Sequence, residues 1–372
     1  MTMRIILCQI VTFLLWGQVS FAVDDAYSSS ESLNVNTKNA STQYAYVADS
    51  GRPINMGAVW KCPLNSNGSF GTCTVLHPAE TKNDYKRERW YGPFKISFTS
   101  VMGSEYAYIA NGSGSIPPNI VYTCLLNNNG TFNTCNSSGP FVGASQVAFA
   151  TVDGTQYAYV ADYGSPGAVW QCQISVFDGA LFGCMSQDIV TWGHPNGVTI
   201  QTINNTQYAY ISDFNSGQSA IYQCTIDSTN GSFSSCGNIP APRHSWAPWE
   251  VAFQSIGGTQ YAYIADSTDP GPYNAGFIWQ CMVNPTDGSL HQCSQLSPQF
   301  ASLTSPYKEP FGVAFATVNG TQYAYVSDGG TSRGTYQVYK CTLNSNGMFN
   351  TCSVASSKIN KWQASGVSFL PQ

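Results

Sequence analysis

One stretch of alternating large and small side chains recurs six times along this chain. Large aromatic residues alternate with alanine, as in a β-strand whose two faces pack against neighbouring sheets. Successive copies are 62, 51, 51, 53 and 62 residues apart, a period that indicates a β-propeller array. The copies read Tyr-Ala-Tyr-[Val/Ile]-[Ala/Ser]-[Asp/Asn] and begin at Tyr44, Tyr106, Tyr157, Tyr208, Tyr261 and Tyr323.

Each repeat unit divides into four strand-sized pieces. The first is an apolar run such as Pro-Phe-Gly-Val-Ala-Phe at Pro310, and the second is the tyrosine strand. The third ends in Val-[Trp/Tyr]-x-Cys or its Ile equivalent, and the fourth carries Phe or Leu before a second Cys. Dipeptides between the first two pieces favour two-residue hairpin turns of the primed types. These dipeptides are Asp153-Gly154, Asn204-Asn205, Gly257-Gly258 and Asn319-Gly320.

The two ends of the chain complement one another. The first unit begins at its second piece, Tyr44, and no first piece precedes it. The last residues contain Gly366-Val-Ser-Phe369, which matches Gly312 to Phe315. We therefore predict that a strand over 366–370 joins the blade 44–75 and closes the ring without open edges. The prediction is an all-β, six-bladed propeller of four-stranded antiparallel blades, formed by residues 42–372.

The cysteines fall in pairs, one pair in each unit, around an Asn-Gly or Asp-Gly turn. Pairs separated by 11 residues fit a two-residue turn, and pairs separated by 12 fit a three-residue loop ending in a left-handed glycine. Either turn places the two cysteines opposite each other, within reach of a disulfide. The alternative, zinc ligation, lacks its closely spaced cysteine knuckles. The predicted disulfides are Cys62–Cys73, Cys124–Cys135, Cys172–Cys184, Cys224–Cys236, Cys281–Cys293 and Cys341–Cys352.

The N-terminus predicts export. Arg4 precedes an apolar run from Ile5 to Trp16, and Ser20-Phe21-Ala22 is a small-x-small cleavage site. Residues 1–22 are therefore predicted to be a secretory signal peptide, too short for a good membrane span. Its removal also takes away Cys8 and leaves twelve cysteines. Residues 23–41 are predicted to be a flexible polar leader, and the mature protein is predicted to be secreted or periplasmic in a bacterium, with no membrane span.

Composition narrows the possible partners. Only 9% of the residues are charged, the net charge is −5 and the isoelectric point is near 5.3. The densest charged run, 82–89, mixes both signs and is interpreted as a solvated loop. Because no Lys/Arg cluster is interleaved with aromatic residues, no nucleic-acid partner is predicted. No nucleophile motif and no phosphate-binding glycine loop occurs either.

The loops predict where a ligand binds. Loops from fourth to first strands and from second to third strands are long and variable, and both kinds emerge on one face of a propeller. We call this the long-loop face, and we predict ligand binding there. Aromatic residues at the approach to the innermost strands would stack on sugars or anchor a peptide. The alternative is that each packs over the joint between blades and closes the core. They are Trp90, Trp192, Trp246, Trp249, Tyr307 and Trp362.

Polar residues on the same rim are the other candidates for ligand contacts. His194 and His244 enter neighbouring blades, and the remaining members are Glu250, Lys95, Arg243 and Glu309. The innermost strands would present one acid and one lysine, a poor calcium cage, so no metal and no other cofactor is predicted. That inner set is Lys95, Gln146, Asn196, Glu250, Gly312 and Ser365.

The last residue of the tyrosine strand is acidic in five copies. These carboxyl groups would suit cationic ligands, but an Asx-turn at a strand end explains their recurrence structurally. The five acids are Asp49, Asp162, Asp213, Asp266 and Asp328, with Asn111 in the sixth copy.

The repeat resembles those of the YVTN-type and NHL-like β-propellers. The shared pattern is P-x-G-V-A-[FIV], a glycine turn and Y-[AV]-Y-V-[AT]-[DN], and it covers residues 42–370. The repeat looks most like secreted bacterial forms with a cysteine pair in each blade. This resemblance implies a propeller fold, in a family with both lactonase-like enzymes and binding modules. Our leading hypothesis is a non-enzymatic binding module for a protein or glycan. The alternative is a lactonase-like hydrolase using the central channel, with a metal at Glu250 and Asn196.

Overall fold

A computed structural model represents the protein, and it describes most of the region after residue 42. The predicted signal peptide, the leader and the charged run 82–89 lie outside the described residues. In the part that is described, no helix is long and apolar enough to cross a membrane. The described residues are 43–51, 57–76, 90, 92–112, 120–214, 219–242, 246–267, 276–296, 299–300, 309–329, 337–356 and 363–370.

Six antiparallel sheets of four strands form the blades of a propeller, which confirms the predicted fold class. One sheet carries an extra two-residue strand. In chain order the strands are β1 (Tyr44–Asp49), β2 (Ala58–Pro63) and β3 (Thr74–Leu76) in blade one; β4 (Pro93–Val101), β5 (Ser104–Asn111), β6 (Ile120–Leu126) and β7 (Phe132–Ser138) in blade two; β8 (Ala144–Val152), β9 (Thr155–Asp162), β10 (Ala168–Ile174) and β11 (Leu181–Ser186) in blade three; β12 (His194–Ile203), β13 (Thr206–Phe214), β14 (Ala220–Ile226) and β15 (Phe233–Ile239) in blade four; β16 (Pro248–Ile256), β17 (Thr259–Asp266), β18 (Phe277–Val283) and β19 (Leu290–Leu296) in blade five; β20 (Gln299–Phe300), β21 (Pro310–Val318), β22 (Thr321–Asp328), β23 (Gln337–Leu343) and β24 (Phe349–Val354) in blade six; and β25 (Ala364–Phe369).

The ring closes as predicted. The C-terminal strand β25 pairs antiparallel with β1, with Val367 opposite Val47, and so supplies the innermost strand of blade one. The observed strand spans Ala364–Phe369, where the prediction was 366–370. The extra strand β20 (Gln299–Phe300) pairs in a different way from the others. It lies parallel to β24 on the outer edge of blade six.

The second tyrosine of each repeat connects its blade to the next one. Tyr46 Oη donates to the carbonyl oxygen of Gly130 at 2.8 Å, and Tyr325 in blade six donates to Gly68 in blade one at 2.7 Å. Burial raises the pKa of all six phenols, so each remains a protonated donor at neutral pH. The other four bonds are Tyr108–Gly179, Tyr159–Gly231, Tyr210–Gly288 and Tyr263–Gly347.

The hairpins between first and second strands have the predicted primed geometry. Asp153 and Gly154 have φ of 47° and 74°, and the equivalent pairs are also left-handed. The turns between third and fourth strands are each one residue longer than predicted. In the short class, Gly68 N–H bonds to Asn65 O and Asn65 N–H to Ser69 O, which makes a three-residue loop over 66–68. The left-handed Gly68 adds a bulge residue that a two-residue turn does not have.

All six predicted disulfides form, each between the third and fourth strands of one blade. Their Cα atoms lie 4.0–4.1 Å apart, because the paired cysteines face each other across the outer hairpin. The bonds fasten the part of each blade that has the least core around it. Six disulfides indicate an oxidising, extracytoplasmic environment.

Candidate functional site

A β-bulge near the start of each innermost strand sorts the side chains around the central channel into two rings. The register to the second strand shifts there in every blade, for example between Pro248 and Glu250. We call the extra residues the bulge ring: Phe94, Ser145, Asn196, Trp249, Phe311 and Ser365. We call the next residues the channel ring: Lys95, Gln146, Gly197, Glu250, Gly312 and Gly366.

This sorting corrects the inner set predicted from the sequence. That set placed Asn196 and Ser365 beside Lys95 and Glu250, but both belong to the bulge ring. The channel ring has glycine in their place, Gly197 and Gly366. Asn196 directly follows Pro195, whereas Lys95 and Glu250 lie two residues after Pro93 and Pro248. The predicted set therefore combined two positions of the motif, which the bulge assigns to different rings.

An ion pair crosses the channel at the level of the channel ring. Lys95 is in blade two and Glu250 is in blade five, and these blades are opposite each other in a six-membered ring. Lys95 Nζ contacts Glu250 Oε1, with the two side chains only 11% and 7% exposed. Gln146 Nε2 donates to the same oxygen at 3.4 Å, and the Val313 N–H donates to Oε2 at 3.2 Å. Glu250 is thus held by an ammonium group, an amide and a backbone donor.

Three glycines make room for these three long side chains. A Cβ on Gly312 would overlap Glu250 Oε2, and one on Gly366 would lie 2.7 Å from Lys95 Cδ. A Cβ on Gly197 would lie 3.0 Å from Gln146 Oε1. Long and absent side chains around the ring therefore fit one another at this level of the channel.

The bulge ring lies on the long-loop side of the ion pair and contains unpartnered polar atoms. Asn196 is 4% exposed, and neither its Oδ1 nor its Nδ2 has a hydrogen-bond partner. In the adjacent blade, Trp249 Nε1 is also buried without a partner. The Trp249 ring is 4.6 Å from that of Phe311, and both residues are half-buried. Unpaired buried donors and acceptors are costly, by about 1–3 kcal/mol each, so this sector is a candidate contact surface for a polar ligand.

Three of the predicted rim tryptophans are buried. This agrees with the alternative interpretation, in which they pack over the joints between blades and close the core. Trp90, Trp192 and Trp246 each pack into a core cluster between adjacent blades. Their indole N–H groups donate to backbone carbonyls at 2.7–3.0 Å. These three side chains therefore present little surface for stacking on a ligand.

The remaining rim residues divide between described and undescribed positions. His194 is half-buried, its Nδ1 is 2.9 Å from the Tyr163 carbonyl oxygen, and its ring is 5.2 Å from that of Tyr163. The backbone N–H of Glu309 donates to Asp328. The approach of His194 to His244 stays a prediction. His244, Arg243, Tyr307 and Trp362 lie outside the described residues.

The recurrent aspartates fasten the incoming loop of each blade. Asp162 accepts bonds from the backbone N–H groups of Val142 and Gly143, at 2.9 and 2.5 Å, and from Trp170 Nε1 at 3.1 Å. A further bond from the N–H of Gly164, two residues on, is the predicted Asx-turn. The Asx-turn expected from the sequence is therefore present at Asp162. The same carboxylate also binds the loop that enters the blade, which the sequence did not predict.

Burial has an electrostatic cost at two of these aspartates. It raises the pKa of Asp49 and of Asp213 above the ordinary value of 3.8, while hydrogen bonds from backbone N–H groups oppose the shift. The donors to Asp213 are the N–H groups of Gly193 and His194. The recurrence of these aspartates around the ring thus reflects a shared structural role, which is to bind loop backbone.

A metal fits poorly at Glu250 and Asn196, where the lactonase-like alternative places one. Among the described residues no three His, Cys, Asp or Glu side chains form a group that would hold an ion. Glu250 already has three donors, and Asn196 belongs to the other ring. The donor set expected for the lactonase-like alternative is therefore not assembled at this pair.

Two cavities lie on the other side of the ion pair, toward the face of the tight hairpin turns. One, of about 260 Å³, has Lys95 and Glu250 at one end and Phe98, Phe315 and Phe369 among its walls. The second, of about 290 Å³, is also lined by Phe315 and Phe369 and reaches the rim of that face.

Sequence reasoning missed the cross-channel ion pair. The only available signal was that Lys95 and Glu250 stand in repeat units three apart, which is the opposite side of a six-fold ring. Composition gave no indication of it, because both residue types are ordinarily solvated.

Comparison with known proteins shows a shared fold. No protein-family model matches the chain, and no curated protein matches it. A proposed 6-phosphogluconolactonase from Bacteroides fragilis superposes with a TM-score of 0.55 at 13% identity, over 90% of this chain and 99% of the other. A second, from Bacteroides uniformis, gives 0.50 at 14%, over 88% and 99%. A Lactobacillus plantarum protein gives 0.50 at 13%, over 89% and 100%. At these identities the likeness concerns the fold alone.

Proposed function

We propose that this protein is a secreted or periplasmic binding module that recognises a protein or glycan on its long-loop face, without catalysing a reaction. The observation that carries the proposal is the unpartnered Asn196 amide and Trp249 indole N–H, next to the half-buried pair Trp249 and Phe311. An amide offers both donors and an acceptor, and an aromatic ring offers a flat apolar surface. Glycans and peptides present hydroxyl or amide groups that complement both.

The engaged carboxylates support binding over catalysis. A general acid or base must lie within hydrogen-bond reach of the proton that it transfers to or from the substrate. Glu250 is bound by Lys95, Gln146 and a backbone N–H, and Asp162 and Asp213 are bound by loop backbone. Placement outside the cytoplasm fits the six disulfides and the predicted signal peptide. The resemblance to YVTN-type and NHL-like propellers remains part of this proposal.

The second candidate is a lactonase-like metal-dependent hydrolase that uses the central channel. The observation in its favour is the fold shared with proteins described as proposed 6-phosphogluconolactonases. Elemental analysis of the purified protein separates the two candidates. A tightly bound divalent ion at one per chain, with hydrolysis of a sugar lactone that a chelator abolishes, would replace the binding proposal with this one.

The binding proposal is tested by screening the full-length protein on glycan and protein arrays. We expect Asn196→Ala and Trp249→Phe each to weaken binding of the recognised ligand by about tenfold, since each removes hydrogen-bonding groups available to the ligand. Trp249→Phe keeps an aromatic ring, so the affinity that this variant loses measures the contribution of the indole N–H. Trp249→Ala removes the stacking surface as well.

Phe177→Ala serves as the matched control. Phe177 is 93% exposed in the turn between the third and fourth strands of blade three, at the outer edge of the blade. Equal binding by wild type, Asn196→Ala and Trp249→Ala would refute the long-loop site. A loss of binding in Phe177→Ala alone would move the site to the outer edge of blade three.

A further inference from the structure

We propose that the half of the central channel on the tight-turn side is a second binding site, for a small uncharged molecule that has a hydrogen-bond acceptor and an apolar body. The site is the cavity of about 260 Å³ that begins at Lys95 and Glu250. It is separate from the long-loop face, because the ion pair lies between the two. The inference therefore stands or falls independently of the proposed function.

A second cavity adjoins this one at the place where the ring closes. In the other five blades a tight turn links the innermost strand to the second strand on this face, such as Met102-Gly103 in blade two. In blade one the innermost strand β25 ends at Phe369, and β1 starts independently at Tyr44, so no such turn exists between them. The cavity of about 290 Å³ lies at this place, lined by Gln43, Leu370 and Gln254. It shares Phe315 and Phe369 with the inner cavity.

The polar end of the cavity offers donors more readily than acceptors. Lys95 Nζ has three N–H donors, and its hydrogen-bond partner among the described residues is Glu250 Oε1. The Glu250 oxygens already accept from Lys95, from Gln146 and from the Val313 N–H. An incoming oxygen acceptor can therefore bond to Lys95 without disturbing the pair.

The charge balance favours an uncharged acceptor. Lys95 and Glu250 neutralise one another, and their side chains are only 11% and 7% exposed. A ligand carboxylate would bring a second negative charge beside Glu250 with no further cation, and a buried unpaired charge is expensive. A carbonyl or hydroxyl oxygen accepts the same hydrogen bond without that cost. The ligand class is thus neutral.

The walls favour an apolar body of limited size. Phe98, Phe315 and Phe369 are half-buried, and their rings lie 4.8–5.0 Å from the buried tyrosines of the preceding blades, which hold them in place. The other apolar lining residues are Ile96, Val313, Ala314 and Val367. Ser97 and Ser368 also line the cavity, and their hydroxyl groups donate to the backbone carbonyls of Val147 and Ile96. The volume is below the range of about 300–1,000 Å³ typical of drug-sized ligands, so the occupant is small.

The test uses three probes of similar size: acetophenone, ethylbenzene and benzoate. The first has a neutral acceptor, the second has none and the third is anionic. Dissociation constants are measured by ligand-observed NMR on the full chain. We expect acetophenone to bind at least ten times more tightly than either of the other two, because it alone bonds to Lys95 without adding charge.

Two variants locate the binding. Ala314→Leu fills the cavity while leaving the ion pair intact, and we expect it to weaken acetophenone binding at least tenfold. The double variant Lys95→Met with Glu250→Gln removes both charges together, so neither is left unpaired, and it should reduce acetophenone to the affinity of ethylbenzene. Met102→Asn, on an exposed turn away from the cavity, is the control and should leave binding unchanged.

Each contrary result overturns the proposal. Equal affinity for acetophenone and ethylbenzene would show that Lys95 is not used. Tighter binding of benzoate would make this an anion site. Undiminished binding in a folded Ala314→Leu variant would place the probes elsewhere, and no binding of any probe would remove the site. Ligands found on the arrays are expected to bind Ala314→Leu normally, which keeps the two sites distinguishable.

Discussion

At the scale of single residues, two side chains from each of five blades contact the same turn of the next blade. One is the buried tyrosine, and the other is the residue before the first cysteine of the pair. In blade three Gln171 Nε2 donates to Asn230 O at 2.8 Å, and Lys340 in blade six donates to Asn67 O at 2.7 Å. The same contact is made by Lys61, Gln223 and Gln280. Blade two has Thr123 in this position, too short to reach the turn, and its Oγ1 is buried without a partner.

Thr123→Gln is therefore expected to stabilise the protein. A glutamine there can reach the carbonyl oxygen of Asp178, as Gln171 reaches Asn230, and the orphaned hydroxyl is removed. We expect the free energy of unfolding in urea to rise by about 0.5–1.5 kcal/mol. Gln171→Thr is the mirror-image control and should lose a similar amount. A Thr123→Gln protein less stable than wild type would contradict the equivalence of the blades.

Asp213 is expected to make stability depend on pH in a definite direction. Its pKa is raised by burial, so in the window above the ordinary value of 3.8 the folded state binds more protons than the unfolded state. Its contribution to stability is therefore present at low pH and falls as pH rises through that window. Asp213→Asn does not titrate, and Asn111 already occupies the equivalent position in blade two.

The measurement is the stability of wild type minus that of Asp213→Asn, from urea unfolding between about pH 4 and about pH 7. We expect this difference to decrease as the pH rises. Other carboxylates, such as Asp227 and Asp287, have pKa values that local hydrogen bonds lower, so they change stability with pH in the opposite direction. Both proteins contain them, so their contribution cancels in the difference. A difference that increases with pH would mean that the backbone donors to Asp213 outweigh its burial.

At the scale of elements, the hairpins between first and second strands show how local conformation and sequence agree, with one exception. Positive φ values favour Gly, Asn and Asp, and four of these turns have such residues. In blade two the first turn residue is Met102, with φ 48°, and its side chain is 83% exposed. No burial compensates for the unfavourable backbone.

Met102→Asn is expected to raise the free energy of unfolding by about 1 kcal/mol, the order of the cost of a left-handed conformation for a residue with an ordinary side chain. Thermal or urea unfolding measures the effect. Asp153→Met, at the same turn position in blade three with φ 47°, is the converse control and should be destabilised by a similar amount. Equal stabilities of all three proteins would show that these turns tolerate any residue.

At the scale of the whole molecule, closure and the cross-channel ion pair make the six blades one structure. Strand β25 pairs with β1, and the hydrogen bond from Tyr325 to Gly68 joins blade six to blade one. Lys95 and Glu250 connect opposite blades through the centre. Both connections depend on residues far apart in the chain, so neither forms until the ring is complete.

Ending the chain at Gln363 is expected to open the ring. The loss removes Val367 and Ala364 from the core between blades six and one, and burial of a valine side chain alone contributes about 1.5–3 kcal/mol. We expect a lower and broader unfolding transition, followed by tryptophan fluorescence. Ending the chain at Leu370 keeps β25 and is the control. An unchanged transition in the shorter protein would refute closure by this strand.

The six-fold pattern of Tyr-Ala-Tyr, the paired cysteines and the C-terminal Gly-Val-Ser-Phe were enough to predict the blade count, the disulfides and the closing strand. Each is a local or periodic signal, because strand alternation, turn residues and repeat length are encoded within one unit. The predicted loops between paired cysteines were short by one residue, since each turn also includes one more residue before the Asn-Gly or Asp-Gly dipeptide, which the sequence does not mark.

What the tertiary structure alone decided is the content of the channel. The bulge in every innermost strand assigns the position of Asn196 and Ser365 to one ring and that of Lys95 and Glu250 to another. The pairing of Lys95 with Glu250 depends on blades that meet only across the closed ring. Burial likewise separated Trp90, Trp192 and Trp246 from the half-buried Trp249. The repeat determines the scaffold, because every copy encodes the same blade. Its centre is determined by positions at which the copies differ, and those residues interact only after the ring has closed.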